Sequence, residues 1–182
     1  MKSPEPDTIP LTKEETVRRS AAFPVEHIIE RYSHDYDVPP DLARRHAEEI
    51  KRFLVLCALH PEKRYGMRGD LDRFWHTFMI YSREYTAFCE QIAGRYIHHA
   101  PEGPASVSPE EAKSSLRSYQ LTLTDYEREF AEPPPSDIWP RGAFGNDGSE
   151  KFMDACGSSC RSCGNGCSSC GHGCTGCTRC GS

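Results

Sequence analysis

From Leu71 to Ile92 one helical spacing runs unbroken through Leu71, Phe74, Trp75, Phe78, Met79, Ser82, Tyr85, Phe88, Cys89 and Ile92. Residues three and four apart share one helix face, whereas a strand repeats every two residues, so this stripe commits the segment to helix. Gly94 stops it. Upstream, Val25, Ile28, Ile29 and Tyr32 have the same spacing and predict a helix over about 24–35. Pro39 and Pro40 break the chain before Ala43, Ala47, Ile50, Leu54, Cys57 and Ala58 repeat the pattern over 41–59. Downstream, Ser108-Pro109-Glu110-Glu111 puts a capping residue, a first-turn proline and two acids at the start of a helix over about 109–130. That helix carries Leu116, Tyr119, Leu123, Tyr126 and Phe130. No alternating apolar pattern appears, so an all-α domain of four or five helices is expected.

The rest of the chain reads as tails around that domain. Residues 1–22 mix Pro4, Pro6 and Pro10 with the charged stretch Lys13, Glu14, Glu15, Arg18 and Arg19. This segment is expected to be flexible, with at most a short solvated helix after Thr12. The helical domain spans about 23–132. Pro133-Pro134-Pro135 opens a Pro/Gly linker over 133–155, with Trp139 and Phe144 as potential anchors. The formal net charge of -5 argues against nucleic acid or anionic membranes as partners, because surfaces that neutralise phosphates are normally basic. With no secretory pattern and no run of 18 apolar residues, a soluble cytoplasmic protein is expected.

Residues 156–182 form a cysteine repeat. Cys156, Cys160, Cys163, Cys167, Cys170, Cys174, Cys177 and Cys180 are spaced by gaps of 4, 3, 4, 3, 4, 3 and 3, a C-x3-C-x2 unit repeated three times and closed by C-x2-C. Between the thiols lie only Gly, Ser, Thr, Asn, Arg and His172, too little apolar surface to offset the entropy of ordering. In a reducing compartment such cysteines are more readily metal ligands than disulfides. Thiolates are soft donors suited to Zn or Cu(I), and glycine permits the tight turns that bring two sulfurs to one ion. Eight thiolates, with His172 as a ninth donor, suffice for two four-sulfur sites or one shared cluster. In composition the tail resembles metallothioneins, which implies metal buffering, sensing or delivery with the helical domain as a docking module. The layout of an acidic folded leader before a Gly/Ser/Cys repeat also resembles ribosomally made peptide precursors. On that alternative a partner enzyme modifies the cysteines.

A second constellation lies in the helical domain. Asp72-Arg73-Phe74-Trp75-His76-Thr77-Phe78 is followed by Tyr85, Cys89 and Gly94-Arg95-Tyr96-Ile97-His98-His99-Ala100-Pro101. Over about 67–101 this resembles the glycine-rich domain-containing protein-like family, with its D-x-x-W-H-x-H, Tyr, Cys and G-x-[FY]-[IL]-H-H-x-P pattern. Phe78 departs from that pattern, which has a second histidine there. No enzymatic activity is implied by the resemblance. Asp72 and His76 are four residues apart, so the carboxylate can orient the imidazole as an outer partner of a metal or simply pair with it. His98 and His99 are adjacent and point in different directions, so at most one is expected to meet His76. Cys89 lies mid-stripe, where a free cysteine usually acts as a small hydrophobe. On one straight helix, His76 and Cys89 stand about 20 Å apart, so a shared ion requires a bend near Ser82 and helices over about 70–80 and 83–93. A metal-dependent activity at His76 is the third alternative. No nucleophile elbow, phosphate loop or H-E-x-x-H is present, so no catalytic residue is assigned. His27, His34, His46 and His60 lie on polar or terminal positions and are given no role.

Overall fold

The computed structural model describes residues 11–99 and 108–141; residues 142–182, with all eight tail cysteines and His172, lie outside the described residues. Six helices occur among the described residues: α1 Lys13–Ala22, α2 Glu26–Tyr36, α3 Pro40–Leu59, α4 Asp70–Ile80, α5 Ser82–Ala93 and α6 Pro109–Phe130. There is no strand among them, as the helical spacing requires.

The boundaries follow from local chemistry. Pro40 starts α3, where a missing N–H costs nothing. Ser108 caps α6 reciprocally: its hydroxyl accepts from the Glu111 N–H at 3.3 Å, and the Glu111 carboxylate accepts from the Ser108 N–H at 2.8 Å. Gly94 ends α5 in the left-handed region at φ 62°, which glycine adopts without strain. The long stripe is two helices that meet at Tyr81 (φ -79°, ψ 60°), so the bend occurs one residue before Ser82.

Helix α3 is the central element and packs against α1, α2, α4, α5 and α6. Its Ala43, Ala47, Ile50, Phe53, Leu54, Val55 and Leu56 are buried, alongside Ile28 and Tyr32 of α2, Phe74, Trp75 and Phe78 of α4, and Tyr85, Phe88 and Ile92 of α5. Burying each large apolar side chain contributes about 1.5–3 kcal/mol, and the aromatic contacts between Phe78, Tyr85 and Phe88 add packing specificity.

Two expectations are corrected. Residues 13–22 are not a loose segment: α1 packs on α3 and α5, burying Thr16 and Ser20. Arg19 donates to the Gln91 carbonyl at 3.3 Å, Gln91 donates back to the Arg19 carbonyl at 3.1 Å, and Ser20 donates to the Lys51 carbonyl at 3.4 Å. Residues 133–141 are likewise part of the fold rather than free linker. Ile138 and Trp139 are buried, and the Trp139 indole donates at 2.6 Å to Glu49 on α3. Tyr126 donates to the same carboxylate at 3.1 Å. Burial still holds the Glu49 carboxyl above its ordinary range, against the pull of those two donors.

Candidate metal centre

Asp72 and His76 sit one turn apart on α4. Because Leu71, Phe74, Trp75 and Phe78 turn the apolar face of this helix into the core, Asp72 and His76 fall on its opposite, wetter edge. The side chain of Asp72 is 38% exposed and that of His76 is 47% exposed. The Asp72 Oδ2 to His76 Nδ1 distance is 3.3 Å. Asp72 also lies in the first turn of α4, where the unpaired N–H groups favour a carboxylate.

The third donor comes from 23 residues further along. The bend at Tyr81 and the left-handed turn at Gly94 send the chain back along α4, and Arg95 fastens the return by donating to the Cys57 carbonyl of α3 at 2.8 Å. Beyond Gly94 the chain alternates: Ile97 is buried, His98 is exposed and His99 turns inward again. The His99 side chain is only 10% exposed, and its Nε2 lies 2.9 Å from Asp72 Oδ1. Its ring centroid is 4.3 Å from that of Trp75 and 4.6 Å from that of His76.

Asp72, His76 and His99 each offer a ligand atom, and these atoms all lie within 4.8 Å of one another. Metal–ligand bonds of about 2.0–2.1 Å set neighbouring donors of a tetrahedral ion about 3.3 Å apart, so the set needs only modest closure. Two imidazoles and one carboxylate form a borderline N/O set that suits Zn(II), Co(II) or Cu(II) and offers too few oxygens for Ca(II). Without an ion, the carboxylate hydrogen-bonds the His99 imidazole and lies 3.3 Å from the His76 ring, tying the 94–99 segment to α4. Among the described residues, no second group of three such donors comes together.

The other candidates in this region are not brought to the site. His98 faces away, with its ring 4.9 Å from that of Tyr96. Cys89 is fully buried on α5, and burial pushes its thiol up, which disfavours the thiolate a metal requires. Phe78 is fully buried against Phe23, Tyr85 and Phe88. Two residues turn a helix by about 200°, so position 78 looks to the other side of α4 from His76. A histidine there would not join this site.

His46, expected on a polar position, is instead buried, and its Nδ1 lies 3.0 Å from the Tyr32 hydroxyl. The Tyr32 hydroxyl also donates to the Asp70 carbonyl at 3.2 Å and so steadies the start of α4. The signal was present in the sequence, since 43, 46, 47 and 50 form one helix face.

A family model described as UCP032817-like matches residues 14–130, a span that holds all three donors. No curated protein and no solved structure matches the chain.

Proposed function

This chain belongs to the UCP032817-like family, and we propose that its family domain, residues 14–130, is a metal-binding module centred on Asp72, His76 and His99. The observation behind it is the convergence of three donors within 4.8 Å from two separated stretches of chain. Zn(II) is the ion that best suits two imidazoles and a carboxylate, with further coordination positions open to water or a partner's donor. Residues 67–101 are the part that resembles the glycine-rich domain-containing protein-like family. Phe78 is its one substitution at a motif histidine, and it leaves this triad intact.

The regular cysteine spacing favours a second metal-binding element. On this reading Cys156, Cys160, Cys163, Cys167, Cys170, Cys174, Cys177 and Cys180, with His172, hold Zn or Cu(I) in a reducing cytoplasm. The protein then serves in metal buffering, sensing or delivery, with the helical domain as docking module.

Two experiments test the two elements separately. For the triad, the full-length chain with all eight tail cysteines replaced by serine is titrated with Zn(II) by calorimetry. One site, lost in His76→Ala and His99→Ala, is expected; no binding by the parent sinks the triad. For the tail, intact mass of the protein from its native host is measured native and after acid, with alkylation of the denatured chain. Acid-labile metal and eight alkylatable tail cysteines are expected. A fixed mass shift with unreactive tail cysteines would replace metal binding by modification through a partner enzyme.

A further inference from the structure

Tyr85 is fully buried, and its hydroxyl is saturated by two partners from two different segments. It accepts from the Trp75 indole N–H of α4 at 2.9 Å and donates to the Ile97 carbonyl of the returning segment at 2.7 Å. Trp75, held by that bond, lays its ring against His99 at 4.3 Å. Ile97, held by the other, is 3% exposed and stands two residues before His99, and both turn inward while His98 between them is exposed. One hydroxyl therefore fixes both the surface that His99 leans on and the backbone that carries it.

We propose that Tyr85 is the positioning residue of the metal centre, setting the His99 imidazole on Asp72 and His76 through Trp75 and Ile97. This rests on the metal reading of the triad. Cys89, one turn beyond Tyr85 on α5 and fully buried, belongs to the same frame. Trp75, Tyr85, Cys89, Gly94, Ile97 and His99 are then one device. Gly94 turns the chain, the buried polar bonds set its depth, and His99 is what they deliver. Removing the hydroxyl leaves the Ile97 carbonyl and the Trp75 N–H unpaired in the core, so the return segment shifts to recover partners. Histidine ligands respond to such shifts, and lost outer partners typically weaken metal binding about 10–100-fold.

The test uses the full-length chain carrying serine at all eight tail cysteine positions, with Co(II) as probe, read by visible d–d absorption and by affinity. Tyr85→Phe is compared with its parent and with Tyr126→Phe, whose lost hydroxyl serves Arg52 and Glu49 instead. The expected result is a dissociation constant raised about 10–100-fold with an altered d–d band in Tyr85→Phe, and neither change in Tyr126→Phe. Unchanged affinity and spectrum in Tyr85→Phe overturn the proposal, as does an equal loss in Tyr126→Phe, which marks a general loss of stability. Absence of a Co(II) spectrum in the parent overturns the metal reading itself. If Tyr85→Phe does not fold, Trp75→Phe removes the N–H that anchors the hydroxyl together with part of the ring that faces His99, and is judged by the same two readouts.

Discussion

Replacing Asp72 by asparagine separates the structural pairing of one carboxylate from the metal ligation proposed for it. The carboxylate hydrogen-bonds His99 and pairs with His76, which ties the 94–99 segment to α4, and on the proposed function it is one of three metal donors. Asparagine has nearly the same shape and keeps one oxygen acceptor but loses the charge. The Asp72 side chain is 38% exposed, so the metal-free loss belongs with surface ion pairs, about 0–1 kcal/mol. The metal-linked term is larger. An ion at one hundred times its dissociation constant stabilises a fold by about 2.7 kcal/mol. Loss of a ligand weakens binding by about 100-fold or more, on the scale set by outer-partner mutations. At the same ion concentration about 0.4 kcal/mol then remains. For a domain of this size, about 4 °C per kcal/mol, the Zn(II)-induced rise in Tm falls from about 11 °C to about 2 °C. The assay is thermal unfolding of the eight-serine chain with and without Zn(II), in parent and Asp72→Asn. An undiminished rise in the variant refutes Asp72 as a ligand. A metal-free loss of several kcal/mol refutes its treatment as a surface group.

Three other outcomes are expected. Trp139→Phe keeps an aromatic ring but strips the N–H from the buried Glu49 carboxylate, lowering stability in urea by about 1–3 kcal/mol while leaving Zn(II) affinity unchanged. Burial holds the His46 imidazole below its ordinary range, outweighing the upward pull of Asp70. Neutral His46 thus contributes stability that is present above about pH 6.5 and lost as pH falls, so urea midpoints between pH 7.5 and 5 should decline less in His46→Gln. Gly94→Ala costs about 1 kcal/mol from φ 62° alone, because an added Cβ meets nothing within 4 Å, and calorimetry should show weaker Zn(II) binding; Gly94→Asn recovers part of both.

The helices that were legible in the sequence are those whose packing is apolar or whose ends have unambiguous chemistry. Helices α3 and α6 begin at Pro40 and Pro109, and α5 ends at Gly94. Helix α1 was missed as a packed element because what it buries is Thr16 and Ser20. Polar hydrogen bonds to Gln91 and Lys51 dock it, and those partners lie more than thirty residues away. Trp139 was legible as an anchor, but its partner Glu49 was not. A carboxylate 90 residues distant gives no local sign that it will be buried.

The candidate metal centre divides along the same line. Asp72 and His76 are four apart on one helix, so their meeting is local geometry and could be read directly. The choice of His99 over His98 is not local, because it depends on which residue of the returning segment is buried. The Tyr85 hydroxyl makes that choice by holding the Ile97 carbonyl, and strand-like alternation then carries it two residues on. Ile97 in, His98 out and His99 in follow as one sequence of consequences. By the same reasoning Phe78 says little about the centre. It stands about 200° around α4 from His76, packed between Tyr85 and Phe88, so a histidine at that position would face the aromatic core that supports the return segment. The departure from the motif therefore acts on the frame around the site, while the three donors that define it remain in place.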